Sequence, residues 1–386
     1  LLPRSDGEKS EYVTIETYIE GNEAKGGWPR VKKYFLRVEL LFYLVMLILF
    51  GAANAVSFKI MIVTMANYVT FLNVVTSVGT LPFFAAGWAF KVFFTKDISL
   101  DQYKPFNQLK FFAIAAISSI SSIMLLFAGV FVPGPMQTLL IQGVVPCTIL
   151  LSVIFLKYRY SIWQYIGATI LMGGILVTCW PTLLLSLQDF WKVHGLAAGS
   201  LLFWMILYFS ASFPLSGSSI LTEVIIVRER IDMWYMYTCQ AFYGLILSIM
   251  LIPVSCLPLF GDVPPSDLIE QFYNGAKCLG GINSTEGDDC TWALAVIVGN
   301  TVFNLAWTVF ILLTIKKGGA ALMGLACAVS LPLSNLAFAL PLPIIGSTLP
   351  TIYDLIGLLL VLSGLLMYKI FKRKSREEEN NDLGVN

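Results

Sequence analysis

Charge and histidine are scarce in this chain. Of its 386 residues only 13% are Asp, Glu, Lys or Arg, and there is one histidine, His194. No His-rich or acidic cluster with metal-ligand spacing falls inside the apolar runs, and no Walker-type glycine loop for ATP occurs, so a metal centre and a primary pump are both poor readings. The run Gly217-Ser218-Ser219 lacks the spacing of a nucleophile elbow, which leaves an enzyme without a catalytic constellation and the chain without an expected cofactor or metal. A channel would need a filter-like loop or a ring of charge, and neither has a candidate. The formal net charge of +1 leaves nothing to attract nucleic acid or another polyanion.

What is present is apolar: 57% of residues are hydrophobic and the mean hydropathy is +0.77. A water-soluble domain has no use for so much apolar surface. Windows of about 20 apolar residues recur, each long enough to cross roughly 30 Å of hydrocarbon. Read between polar breaks, they give ten helices at about 39–63, 70–93, 109–130, 134–156, 161–180, 195–225, 233–255, 291–314, 319–340 and 351–371. Pro146 lies inside the fourth, and Pro214 is expected to kink the sixth, which neighbouring helices can tolerate. The basic residues test this count, because short cytoplasmic loops collect Lys and Arg. With an even number of spans, 22 of the 25 basic residues fall on one side, leaving Lys192 and Lys277 opposite and Lys59 inside the first span. Both termini are therefore expected in the cytosol, as an N-terminal segment 1–38 and a tail 372–386 around spans that occupy 39–180 and 195–371.

The opposite face carries one large loop, 256–290, with six acids against Lys277. Phe260, Leu268, Ile269 and Phe272 suit a short amphipathic helix at the membrane surface. Cys278 and Cys290 bracket the sequon Asn283-Ser284-Thr285, and cysteines so spaced outside the cytosol suggest a disulfide, with Asn283 a possible glycan acceptor. The alternative is two free thiols and an unused sequon. The other five cysteines read as small buried residues.

An internal repeat is visible. The fifth span has Ile166-Gly167, six residues, then Gly174-Ile175-Leu176; the tenth has Ile356-Gly357, six residues, then Gly364-Leu365-Leu366. Each follows a helix with an internal proline, Pro146 or Pro332. The two lie five spans apart, an odd number, so the halves must run through the membrane in opposite senses, as in secondary transporters. The glycines themselves read as sites of close helix approach.

Polar groups in hydrocarbon are costly and each needs a reason. Gln137 and Gln142 lie about 140° apart around a helix and can flank a wide cavity. Asn54 lies in the first span, Asn300 and Asn304 on one face of the eighth, Ser330, Ser334 and Asn335 in the ninth, and Ser210, Ser212, Ser216 and Ser218 around Pro214. Asn and Gln can equally be interhelical glue, and serines tight packing. Lys59, near the end of the first span, is either a snorkelling lysine or a charge at a cavity mouth. Asp354 opens the tenth span, where a helix N-terminus favours a carboxylate anyway, and Glu223 lies near the end of the sixth. These two are the only candidates for a coupling proton.

The run Pro133-Gly134-Pro135-Met136-Gln137 through Gln142 and Pro146, then Leu156-Lys157-Tyr158-Arg159-Tyr160 to Tyr165-Ile166-Gly167-Ala168, resembles the chloroquine-resistance-transporter family and its plant-type relatives, within the drug/metabolite transporter superfamily. The likeness continues at Asn54, Lys59, Asn67-Tyr68, Pro214, Ser218, Glu223, Ile231-Asp232, Cys278, Cys290, Phe303-Asn304, Asp354 and Gly357, covering about 40–370. The resemblance implies ten helices in two inverted five-helix halves and a central cavity lined by Asn54, Gln137, Gln142, Ser218 and Asn304. It also implies a proton-driven carrier of amino acids, peptides, glutathione-like thiols or drugs out of an acidic organelle or plastid, working in membrane lipid as a monomer. Two departures stand out. The loop has two cysteines where parasite-type members have four, and Ser118-Ser119-Ile120-Ser121-Ser122 has no acid, which weakens the case for a cation-favouring cavity. The chain starts at Leu1, so a targeting segment is expected to be missing from it. The rival readings are a phosphorylated-sugar or nucleotide-sugar antiporter, for which Lys59 alone is thin support, and a non-transporting scaffold or receptor.

Overall fold

The computed structural model describes residues 29–95, 108–156, 160–193, 201–229 and 231–382, apart from 259, 286, 343 and 348–350. The segment up to residue 28, His194 and the side chain of Glu223 lie outside the described residues. Within them the chain is helical, with a single isolated bridge between Leu342 and Gly346.

The helices are α1 (Pro29–Thr64), α2 (Val69–Phe90), α3 (Gln108–Phe131), α4 (Gly134–Leu140), α5 (Val144–Leu156), α6 (Ile162–Val193), α7 (Leu201–Ser210), α8 (Ser212–Glu229), α9 (Met233–Met250), α10 (Leu268–Leu279), α11 (Ala293–Phe338) and α12 (Ile352–Asp382). Eight segments among the described residues are long and apolar enough to cross a membrane, and the shorter helices Ala326–Phe338 and Ile352–Tyr368 are apolar too. Apolar side chains face outward as well as inward, and several polar ones are buried. Leu41, Phe42, Val45 and Leu49 of α1 are exposed, while Lys59, Asn73, Ser121, Gln137, Ser216, Asn300 and Asp354 are buried. Apolar atoms outside and polar atoms inside are what a lipid solvent selects.

Proline explains two interruptions. The fourth span is split into α4 and α5 by a tight 3₁₀ turn, Ile141–Gly143, because Pro146 offers no N–H to the carbonyl of Gln142 four residues back. The sixth span breaks at Ala211, between α7 and α8, just after Ser210, whose carbonyl Pro214 would crowd. In the same bundle Pro82, Pro181 and Pro332 stay inside their helices.

The eighth and ninth expected spans fall in one helical assignment, Ala293–Phe338. The chain nonetheless reverses within it. A side chain at Gly51 would lie 3.1 Å from Trp307 Nε1 and 3.3 Å from Ser330 Cβ, whereas a straight helix would hold those two residues about 34 Å apart. The first arm follows α1, with Phe50 stacked on Phe310; the second reaches α4, where Thr138 donates to Asn335 Oδ1 at 3.4 Å.

α6 and α12 meet through the repeated glycines. A Cβ at Gly167 would come within 2.9 Å of the Gly364 carbonyl, and one at Gly364 within 2.5 Å of the Gly167 carbonyl. Gly174 and Gly357 stand in the same reciprocal relation, each 2.8 Å from the other's carbonyl. Any larger residue would force the two backbones apart, so the glycines set this contact.

Candidate functional site

One end of the bundle holds a cavity of about 620 Å³. Its walls are the turn from Ala66 to Thr70, the end of α3 (Phe127, Val130, Phe131), Trp204 of α7, and the loop before and along α10. Among its described lining residues are three acids, Asp262, Asp267 and Glu270, and no Lys or Arg. The apolar side is aromatic: Phe131 stacks on Trp204 at 4.3 Å between ring centroids, and Phe260 packs edge-on against Phe127 at 5.0 Å. Trp204 Nε1 is buried with no partner among the described residues. Acids beside aromatic faces suit a solute with a cationic head and an apolar body. Sequence reasoning missed this vestibule, although three of the loop's six acids, Asp262, Asp267 and Glu270, were its signal.

The wall is held by a clasp. Cys278 and Cys290 are disulfide-bonded, with 4.9 Å between their Cα atoms, and both are fully buried. Beside them Asp288 Oδ1 accepts from Asn67 Nδ2 at 2.8 Å, and Oδ2 accepts from the Tyr68 hydroxyl at 2.8 Å and the Thr285 N–H at 2.8 Å. Partial burial pushes the Asp288 carboxyl up, but the hydrogen bonds from Asn67, Thr285, Tyr68 and Ser284 outweigh it and hold the group below the usual carboxylate range. On α10, Phe272 packs edge-on against Phe71, while Ile269, expected on the same apolar face, is 83% exposed.

Lys59 neither snorkels nor sits in the vestibule. Its Nζ donates to the carbonyls of Gly129 (2.8 Å), Val130 (3.0 Å) and Val132 (2.8 Å), capping the end of α3 where the helix leaves carbonyls without partners. Gln137 joins it, Nε2 donating to Gly129 O at 2.6 Å and Val132 O at 2.8 Å. The two side chains lock α1, α3 and α4 together.

The remaining cavity candidates are dispersed. Asn54 is half-buried with Oδ1 unpartnered among the described residues. It lies on the α1–α11 seam between two contacts, Ser57 donating to Asn300 Oδ1 at 3.1 Å and Gly51 against Trp307; Asn304 lies at the same level on the other side. Asn304 and Gln142 are half-buried. Ser218 is buried and bonds back to Leu215 O in its own helix. Asp354 is the third residue of α12 and forms a capping box with Thr351: Oδ2 accepts the Thr351 N–H and hydroxyl, both at 2.8 Å, and the Asp354 N–H donates to Thr351 Oγ1 at 3.3 Å. Its Oδ1 is buried with no partner among the described residues. Asn283 is exposed, and its Oδ1 accepts the Cys290 N–H at 2.9 Å.

Apolar surface around buried polar groups, on helices long enough to span hydrocarbon, defines a multi-pass membrane protein. Comparison with known proteins narrows this. The model of the CRT-like, chloroquine-resistance transporter-like family matches residues 40–368. The chain is 33% identical to Crt homolog 2 of Dictyostelium discoideum over 366 residues, 88% of this chain and 73% of that protein. It is 28% identical to the chloroquine resistance transporter of Toxoplasma gondii, over 88% of this chain and 39% of the relative. To Protein CLT1, chloroplastic, of Arabidopsis thaliana it is 25% identical, over 82% and 70%. The chain belongs to the CRT-like family, and with it to the membrane transporters.

Proposed function

We propose that the chain is a secondary transporter that takes small amino-acid-derived solutes (amino acids, peptides, glutathione-like thiols) or drugs from an organelle toward the cytosol, coupled to protons and working as a monomer. The observation that carries this reading, beside family membership, is the acid- and aromatic-lined vestibule at the 256–290 end of the bundle. Its size suits a short peptide, and its charge disfavours a phosphorylated sugar or nucleotide sugar, whose phosphate would need basic partners.

The reading includes ten spans in two inverted halves, 39–180 and 195–371, with both termini cytosolic. The reciprocal glycine contact between α6 and α12 supports it, since a pseudo-two-fold axis that carries Gly167 onto Gly357 and Gly174 onto Gly364 turns the Gly167–Gly364 contact into the Gly174–Gly357 contact. Asn54, Gln142 and Asn304, with amides unclaimed by neighbours among the described residues, are the groups left to meet a solute deeper in. Gln137 and Ser218 are occupied by backbone carbonyls and act on the cavity's shape. For coupling, Asp354 is preferred over Glu223. Its Oδ1 is buried with no partner among the described residues, whereas the side chain of Glu223 lies outside them. The compartment is an acidic organelle or plastid envelope, in keeping with the chloroplastic relative.

The test is uptake of labelled amino acids, glutathione and short peptides into proteoliposomes, with and without an imposed pH gradient. Gradient-driven accumulation is expected for wild type and its loss for Asp354→Asn. Gradient-independent wild-type uptake would remove proton coupling; no movement of any solute by folded protein would favour a scaffold.

A further inference from the structure

The sequon Asn283-Ser284-Thr285 is folded into the clasp, and both the Asn283 amide oxygen and the Thr285 hydroxyl are engaged. A sequon is set by the hydroxyl two residues after the asparagine, so a glycosyl transferase must read that hydroxyl together with the amide. Here Thr285 Oγ1 is 2.8 Å from the Tyr68 hydroxyl, 217 residues away in the chain. The Ser284 and Thr285 N–H groups both donate to Asp288 Oδ2, at 3.2 and 2.8 Å. Asn283 Oδ1 accepts the N–H of Cys290, itself half of the disulfide. Glycines in the left-handed region, Gly281 at φ 85° and Gly287 at φ 88°, turn the backbone on either side. Asn283 stays exposed while its recognition elements are bound to the protein.

We propose that Asn283 is a glycan acceptor only in the interval before Cys278–Cys290 closes and the loop docks on Tyr68, and that docking withdraws the sequon. The disulfide and the glycan are then competing fates of one loop. In the transfer, Asn283 Nδ2 bonds to the sugar C1 of a lipid-pyrophosphate oligosaccharide as the C1–O bond breaks; the pyrophosphate leaves with the electron pair and the amide gives up one proton. Presenting Asn283 requires the Cys290 N–H bond to open, and reading Thr285 requires the Tyr68 bond to open. The first cannot form until Cys290 has been made, and the second cannot form until the loop has docked on Tyr68. The inference rests on the loop being lumenal, as the proposed topology has it.

The experiment is translation of the full chain into endoplasmic-reticulum microsomes, scoring glycosidase-sensitive mass shifts. Four arms are run: wild type under oxidising conditions, wild type with dithiothreitol, Cys290→Ser, and Tyr68→Phe, which keeps the disulfide and removes the hydroxyl that meets both Thr285 Oγ1 and Asp288 Oδ2. Occupancy is expected to rise at least threefold with dithiothreitol and in Cys290→Ser, and by a smaller factor in Tyr68→Phe. A control chain carries a flexible acceptor segment between Pro264 and Pro265, both exposed and outside the loop that the disulfide closes. Its occupancy should not respond to dithiothreitol. Equal Asn283 occupancy in all arms overturns the proposal, as does none in any arm while the control is modified. An unmodified control would place the loop outside the lumen and overturn the topology as well.

Discussion

Replacing Lys59 with methionine tests whether this residue is an internal helix cap or a charge that serves the solute. Three hydrogen bonds from an ammonium to carbonyls disappear, each contributing about 1.5–3 kcal/mol when one partner is charged. Against this, removing a charge from the bundle relieves a desolvation cost of several kcal/mol. Gln137 still serves Gly129 O and Val132 O, so only the Val130 carbonyl is orphaned, at about 1–3 kcal/mol. The net expectation is a loss of about 2 kcal/mol, a fall in melting temperature of about 3 °C for a chain of this size. Gln137→Leu alone leaves all three carbonyls on Lys59 and should cost about 1 kcal/mol. The double variant strips Gly129, Val130 and Val132 together, so its loss should exceed the sum of the singles by about 1 kcal/mol or more. Melting of detergent-purified protein, followed by fluorescence-detected size exclusion, reads all four corners of the cycle. Additive losses, or a Lys59→Met protein as stable as wild type with altered transport, would refute the capping account and return Lys59 to the cavity mouth.

Leucine at Gly167 or Gly364 should drive α6 from α12 and sharply reduce folded yield, because its Cβ would fall within 2.9 Å of the opposing backbone; the same change at Gly173, which has open space around it, is the control for membrane expression. Asp267→Asn with Glu270→Gln should raise the apparent KM for cationic solutes about 3- to 10-fold, equivalent to about 1 kcal/mol, and leave neutral solutes unaffected; equal effects on both would remove the vestibule from selectivity. Asp288→Asn should lower the melting temperature equally at pH 7 and pH 5. Its folded pKa lies below the ordinary 3.8, so its stabilisation is complete above that value and lost only as pH falls through the folded pKa; a difference confined to pH 7 would contradict this.

The parts of this architecture that were legible beforehand depend on local composition. Apolar runs gave eight of the spans as long apolar helices, and the cysteine bracket around Asn283 gave the disulfide. The spacing of Gly167, Gly174, Gly357 and Gly364 marked a close contact, though not that the glycines would meet each other. What stayed hidden depends on where distant chain segments end in space. Nothing near Lys59 reveals that α3 stops beside it, some 70 residues on, with three carbonyls facing it. Gln137 looked like a cavity residue because a buried amide has the same local signature whether it meets a solute or a helix end. The vestibule was only half visible for a related reason. Its acids and Phe260 come from the loop, but Phe127, Phe131 and Trp204 come from α3 and α7, so no single window contains the whole lining.

The two proline interruptions lie against each other. Ser216 of α8 donates to the Val144 carbonyl at 3.0 Å, and a side chain at Gly143 would strike the ring of Phe209, 2.4 Å away. Unwound backbone from the fourth and sixth spans therefore shares one neighbourhood inside the bundle. Peptide groups there are supplied by any residue type, so polarity can persist at that depth while side chains drift. Alanine scanning would pass over such a surface without a signal. Substitutions that restore regular helix, such as Pro146→Ala and Pro214→Ala, are the ones that would reveal how much recognition is written in the main chain.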